Sequence, residues 1–301
     1  MSADPRELLS RHFGYAAFRP GQEELVRAVM AGRDALGVLP TGGGKSVCYQ
    51  VPALALGGLT LVVTPLVSLM EDQVQRAVAA GLRAAHMSAG QEASVRRSTL
   101  EVARAGGLDV LFVAPERLGM RGFLDALGAE GIRLLAVDEA HCISEWGHDF
   151  RPCYREIGRV RSLVRAPVLA LTATATPHVR GDVVASLRLR DPLVVVRSFD
   201  RPNLSWAVVP GGGYAERARR VGRLLRRIRG AAIVYAPTRR TVDDVRDALA
   251  SLGVVTEAYH AGLDALERTR VQSAFMAGRC RVVVATNAFG MGIDKADVRL
   301  V

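Results

Sequence analysis

Short, continuous apolar runs rich in valine and leucine recur along this chain, at residues 34–39, 59–64, 108–114, 133–138 and 167–172. A loop follows each run, and helical periodicity marks residues 68–80, 91–105, 154–165 and 177–187. Strands that are apolar at every position are buried on both faces. The pattern therefore predicts a parallel sheet covered by helices. Beyond the run Leu193-Val194-Val195-Val196, the chain passes Phe199-Asp200-Arg201-Pro202-Asn203 and reaches Pro210-Gly211-Gly212-Gly213, the best linker signal in the sequence. A second alternating set follows, with strands expected at 231–235, 254–258 and 281–285 and helices at 214–229, 238–252 and 264–277. The expectation is two α/β domains, residues 1–203 and 214–301, joined by a linker at 204–213, with a cleft between them. The second set offers three or four strands and stops at Val301 after an apolar, strand-like end, so the second domain is expected to be incomplete.

Composition adds boundaries to this picture. The 301 residues are 49% hydrophobic and 23% charged, ordinary for a globular protein with room for two cores. No apolar run approaches the ~18 residues of a membrane span. The first residues, Met1-Ser2-Ala3-Asp4-Pro5-Arg6, show no secretory signal. Four scattered cysteines (Cys48, Cys142, Cys153, Cys280) form no Cys-x-x-Cys pair, which favours reduced thiols in a cytoplasmic compartment and no structural zinc.

Charge changes the picture more. The net +10 is uneven: residues 1–210 carry 24 basic and 21 acidic groups, and residues 211–301 carry 16 and 9. Such an excess suits a polyanionic partner such as nucleic acid, although arginine-rich coding would produce it too. Residues 214–229 hold seven arginines and one acid, Glu216. That stretch is read first as a solvated helix face, and second as a phosphate contact.

Only two of the forty basic residues are lysines, Lys45 and Lys295. Lys45 sits in Leu39-Pro40-Thr41-Gly42-Gly43-Gly44-Lys45-Ser46, between an apolar run and a helical pattern. Glycines let backbone N–H groups turn toward phosphates, and the following helix presents its positive end to the same anion. Lys45 would reach the β- and γ-phosphates of ATP or GTP, and the Ser46 hydroxyl would ligate Mg²⁺. Leu39 stands where the general phosphate-loop pattern has glycine. Some ninety residues on, the run ending Ala136-Val137 is followed by Asp138-Glu139-Ala140-His141. Asp138 at a strand tip would hold Mg²⁺, Glu139 would act as general base on the attacking water, and His141 would relay to the rest of the machine.

With both motifs in place, nearly the whole chain resembles the RecQ family of DNA helicases, within helicase superfamily 2. The Pro40-Thr41-Gly42-Gly43-Gly44-Lys45-Ser46 loop has that superfamily's form. Residues 13–22, Phe-Gly-Tyr-Ala-Ala-Phe-Arg-Pro-Gly-Gln, resemble the family's adenine-binding motif. The resemblance implies that Tyr15 stacks on adenine while Arg19 and Gln22 bond its edge. Read bare, the segment is first an ordinary loop before a helix. Residues 142–152, Cys-Ile-Ser-Glu-Trp-Gly-His-Asp-Phe-Arg-Pro, resemble the family's aromatic-rich loop. It implies that Trp146, His148, Phe150 and Arg151 sense single-stranded DNA and couple it to hydrolysis. Aromatic faces stack unpaired bases at ~1–3 kcal/mol each.

Residues 171–176, 64–73, 113–118, 233–240 and 258–263 resemble further family segments. Residues 284–295 match best there, placing Asp294 toward the ribose or triphosphate. The resemblance implies two RecA-like domains, ATP and Mg²⁺ bound between them, and 3′-to-5′ movement on single-stranded and forked DNA by a monomer in repair or recombination. The family's Gln-x-x-Gly-Arg-x-Gly-Arg segment, four-cysteine zinc module and winged helix do not occur in the chain, so a C-terminally truncated member is expected. Two alternatives stay open: a nucleotide- and DNA-binding fragment without turnover, and an RNA helicase, because residues 138–141 spell Asp-Glu-Ala-His.

Overall fold

The computed structural model describes residues 3–301 except 66, 89, 121, 148, 199–202 and 290–294. The chain divides into two compact units, Met1–Arg201 and Pro202–Val301.

The first unit is built on a seven-stranded sheet. Its strands are β1 (Ala35–Val38), β2 (Leu59–Val63), β3 (Ala84–Met87), β4 (Val110–Val113), β5 (Ile132–Val137), β6 (Val168–Thr172) and β7 (Leu193–Val196). They run in the order β3-β4-β2-β5-β6-β1-β7, and every pairing is parallel. Helices occupy Pro5–Phe13 (α1), Gln22–Met30 (α2), Val47–Ala55 (α3), Val67–Ala79 (α4), Ala93–Arg104 (α5), Phe123–Leu127 (α6), Arg155–Leu163 (α7) and Pro177–Ser186 (α8).

The period of two explains why the apolar runs are unbroken. Leu61, Val63, Leu111 and Val113 enter a core on one face of the sheet. Their neighbours Val62, Val110 and Phe112 enter a second core on the other face. A strand between two helical layers has no polar side to show.

The second unit repeats the plan with β8 (Ala231–Tyr235), β9 (Glu257–Tyr259), β10 (Val282–Ala285) and β11 (Val298–Leu300), ordered β11-β8-β10-β9 and again all parallel. Helices α9 (Tyr214–Arg227) and α10 (Arg239–Ser251) supply Leu225, Val242 and Leu249 to one core, with Val282 and Val284. Helix α11 (Ala265–Met276) supplies Val271 and Phe275 to the other, with Val283 and Ala285.

The expected fold class, parallel-sheet α/β in two parts, is what the chain adopts. Three elements have no counterpart among the expected ones: α1, β3 and α6. Strand β9 also begins three residues into the apolar run at 254–258 and ends one residue beyond it, and Val255 points into solvent at 89% exposure. Among the described residues, no helix is long and apolar enough to cross a membrane.

Candidate active site

The chemistry-bearing residues of the first unit collect at the C-terminal ends of three neighbouring strands, β5, β6 and β1, where ligands bind in open α/β sheets. The loop after β1 turns on Gly42 and Gly44, at φ of +73° and +71°, a left-handed backbone that side-chain-bearing residues rarely adopt. Gly43 N donates to Pro40 O at 2.9 Å, and Ser46 stands at the N-terminal cap of α3. Thr41 and Gly42 are exposed, whereas Lys45 and Ser46 are half-buried.

Gln22, 3% exposed, clamps this loop from α2. Its Nε2 donates to Gly43 O at 2.9 Å and to Gly44 O at 3.0 Å, while its Oε1 accepts from Arg19 N at 2.9 Å. The Arg19 guanidinium donates to Gly42 O. Arg19 and Gln22 thus grip the backbone of the phosphate loop, and Tyr15 is 53% exposed. The sequence placed all three together but gave no sign of the clamp, which depends on how α2 packs beside β1.

Asp138 ends β5. Its N–H donates to Val63 O at 2.8 Å, its Oδ1 accepts from Glu139 N at 3.0 Å, and its carbonyl accepts from the Tyr154 hydroxyl at 2.9 Å. Glu139 takes the left-handed conformation, φ 47° and ψ 46°, uncommon outside glycine. Burial raises the Asp138 carboxyl above its ordinary range, and nearby Lys45 opposes that shift. Burial, and after it the charge of Asp138, pushes Glu139 up to about 7, again against Lys45. The loop after β1 and the acids after β5 therefore share one electrostatic environment.

His141 bridges to β6. Its Nδ1 lies 2.8 Å from Thr172 Oγ1 and 3.3 Å from Glu139 Oε2. Thr172 Oγ1 also lies 3.1 Å from Thr174 O, which places this hydroxyl between the His141 ring and the loop beyond β6. Cys142 beside it is buried, its thiol pushed up to about 12 by burial, so it is not a thiolate.

The loop beyond the acids carries the aromatics. Trp146 is 75% exposed and meets His178 edge-on at 5.7 Å between ring centroids. Phe150 lies under the Arg155 guanidinium at 5.2 Å. Arg151 donates to Pro65 O at 3.1 Å and pairs with Asp149 at 3.0 Å. Gly147 has no room for a side chain: a Cβ would lie 2.4 Å from His141 O. His148 and Asp294 fall outside the described residues.

ATP with Mg²⁺ fits this residue set. The glycine loop supplies upturned backbone, and the donors near it, Ser46 hydroxyl and Asp138 carboxylate, are the hard oxygens Mg²⁺ takes. No group of three His, Cys, Asp or Glu able to hold a metal occurs among the described residues, so a cation here would lean on phosphate oxygens as well.

Comparison with known proteins bears on the family. Residues 19–181 match the DEAD/DEAH box helicase model, and residues 216–301 match the helicase conserved C-terminal domain. The chain is 42% identical to the ATP-dependent DNA helicase RecQ of Pasteurella multocida over 98% of its own length and 46% of that protein. It is 41% identical to the RecQ helicase of Haemophilus influenzae, covering 98% of itself and 47% of that protein. The chain spans about half the length of these relatives. In fold it is similar to Mycobacterium smegmatis helicase Lhr bound to ssDNA and AMP-PNP, with a TM-score of 0.72 at 21% identity, over 98% of this chain and 44% of that one. The chain belongs to the DEAD/DEAH box helicases, and these curated relatives are helicases of RecQ type. Two RecA-like α/β units and the use of a nucleotide follow from that membership.

Proposed function

We propose that this chain is the motor core of an ATP-dependent DNA helicase of RecQ type, moving 3′ to 5′ on single-stranded DNA. One observation carries the reading: Lys45 in the loop after β1 lies near enough to Asp138 and Glu139 after β5, some ninety residues on in sequence and two strands away in the sheet, to oppose the rise of both carboxyls. In this reading the loop N–H groups and Lys45 hold the β- and γ-phosphates, and Tyr15 stacks on the base. Arg19 and Gln22 tie base recognition to loop shape. Ser46 and Asp138 would hold Mg²⁺, which when bound neutralises charge building on the phosphates. Glu139 accepts a proton from the attacking water, helped by the raised carboxyl that makes it a better base. His141 carries the change at Glu139 to Thr172 on β6. Trp146 and Phe150 offer faces to unpaired bases, and Arg151 answers at the backbone of residue 65. His148 is assigned to the same loop, and Asp294 to the nucleotide.

Steady-state ATPase with and without single-stranded DNA, wild type beside Lys45→Ala, tests this. DNA-stimulated turnover that vanishes in Lys45→Ala is expected. Mg·ATP binding that survives Lys45→Ala unchanged would sink the reading. Retained binding without turnover in the wild type would reduce it to a nucleotide-binding core.

A further inference from the structure

We infer that the second unit carries its own nucleic-acid backbone site: a band of arginines along the outer face of α9 that continues past its C-terminal end. Arg219, Arg223 and Arg227 follow one another at four-residue spacing, about 6 Å apart along the helix axis. All three are exposed, as is Arg226 beside them. At the end of α9, Arg226 lines a cavity of about 340 Å³ together with Arg279 and Arg281. The helix and the cavity are thus one basic surface, with Arg226 at the junction.

Several carboxylates that could neutralise such a surface are engaged elsewhere. Glu216, the only acid of α9, pairs with Arg220 at 3.2 Å. Glu257 lines the cavity but is held by Arg270 at 3.0 Å. Asp243 and Asp247 of the neighbouring α10 pair with Arg246. Among the described residues, none of the six band arginines pairs with a carboxylate. Arg226 donates to Leu252 O at 2.9 Å and Arg281 to Leu225 O at 2.8 Å. These carbonyl contacts fix the side chains and leave their charge unneutralised. A solvated helix face ordinarily mixes both signs, and this one does not.

The band also lies apart from the motif loops. In a parallel sheet each helix runs back against its following strand, so the C-terminal end of α9 lies at the start of β8. Arg281 likewise immediately precedes β10. The segments that resemble helicase motifs, 235–240, 259–263 and 286–289, follow the opposite ends of β8, β9 and β10. An elongated polyanion suits an elongated, unpaired row of guanidiniums, and arginine is the side chain that forks onto phosphate. The choice of nucleic acid over other polyanions rests on the proposed helicase function.

The test is the salt dependence of binding, measured by fluorescence anisotropy with labelled single-stranded and duplex oligonucleotides and no nucleotide present. Arg223→Gln/Arg227→Gln/Arg279→Gln is compared with wild type and with Arg11→Gln/Arg97→Gln/Arg165→Gln, which removes the same charge from exposed positions of the first unit. Each lost phosphate contact should flatten the slope of log K against log salt by about 0.7 on single strands or about 0.9 on duplex. The band variant is expected to lose about two to three units of slope and the control variant none. Equal slopes in the band variant and wild type would overturn the site, as would equal losses in both variants. So would absence of oligonucleotide binding by wild type, or band-dependent binding to polyglutamate or phosphatidylserine vesicles alone. Mg·ATP binding, measured alongside, reports on the helicase reading separately, because none of the substituted residues belongs to that site.

Discussion

Ser144 Oγ donates a 2.5 Å hydrogen bond to Asp182 Oδ2, joining the aromatic loop to the second turn of α8. The same Oγ accepts from Trp146 N at 3.2 Å, and His178, one turn earlier on α8, meets the Trp146 ring. Helix α8 opens at Thr176, whose hydroxyl accepts from Val179 N, four residues after the Thr172 that touches His141. One short path therefore runs from the acids, through β6 and α8, to the exposed tryptophan.

Cutting that path should separate hydrolysis from DNA sensing. Asp182→Ala leaves every residue of the phosphate loop and the acid pair in place. Its expected effect is near-normal Mg·ATP affinity and basal ATPase, with DNA stimulation reduced roughly tenfold, a loss of about 1.4 kcal/mol in coupling. Titrating ATPase with single-stranded DNA reads both quantities. Equal loss of basal and stimulated rates would show that Asp182 only holds up the fold.

The Gln22 clamp makes a different prediction. Its amide nitrogen serves Gly43 O and Gly44 O together, so Gln22→Glu would face two carbonyl oxygens with a third acceptor. That variant should weaken Mg·ATP binding more than Gln22→Ala, which removes the clamp without repulsion. About tenfold in Kd for alanine and clearly more for glutamate are expected by calorimetric titration. Equal affinities across the three proteins would mean the loop holds its shape unaided.

The contrast between these residues shows what a sequence discloses. Gly42, Gly44 and Lys45 are legible because the loop's backbone demands are local and leave a local pattern. Asp138 and Glu139 are legible because they end an apolar run. Asp182 is not, since it meets Ser144 across 38 residues and stands in an unexceptional helix. Gln22 was legible as a member of its motif, yet its clamp on the loop appears only once α2 is packed. Strand β3 was hidden by composition: Ala84-Ala85-His86-Met87 has no β-branched residue, and as an edge strand it is only partly buried. Helix α1 did leave a signal, with Asp4 capping Arg6 N, Pro5 in the first turn and Gly14 left-handed at its end.

A buried ion pair at the other end of β1 bears on stability alone. The Asp34 carboxylate accepts from the Arg161 guanidinium at 3.1 Å, from Val168 N at 2.8 Å and from Arg190 N at 2.7 Å. It thereby fastens the starts of β1 and β6 and the approach to β7. Both side chains are almost wholly buried, at 2% and 6% exposure. Asp34→Ala would leave the buried charge of Arg161 uncompensated, its Nη1 still held by Val164 O and Ala166 O, and two N–H groups without a partner, at a cost of about 3–5 kcal/mol in urea unfolding. Nucleotide affinity of the folded fraction should survive, because the phosphate loop lies at the opposite end of β1. A loss below ~1 kcal/mol would mean that water replaces the carboxylate there.

Glu139 supplies the pH prediction, and its sign is the reverse of the usual carboxylate case. Burial and Asp138 raise its carboxyl from 4.5 to about 7 in the folded chain. Between those values the native protein holds a proton that the unfolded chain has lost, so stability falls as pH rises through that window. At about 1.4 kcal/mol per pH unit, the full effect is on the order of 3 kcal/mol at most. Glu139→Gln removes the titration while keeping the shape. In metal-free protein, the variant and wild type should unfold at similar urea concentrations near pH 5, and the variant should be the more stable near pH 8. Added Mg²⁺ should narrow the gap at pH 8, because a cation beside Asp138 offsets the charge that makes the ionised Glu139 costly. Parallel stability curves for the two proteins across this range would mean that Glu139 is already ionised and solvated in the fold. The left-handed turn at Glu139 would then serve geometry alone, with no part in tuning the base.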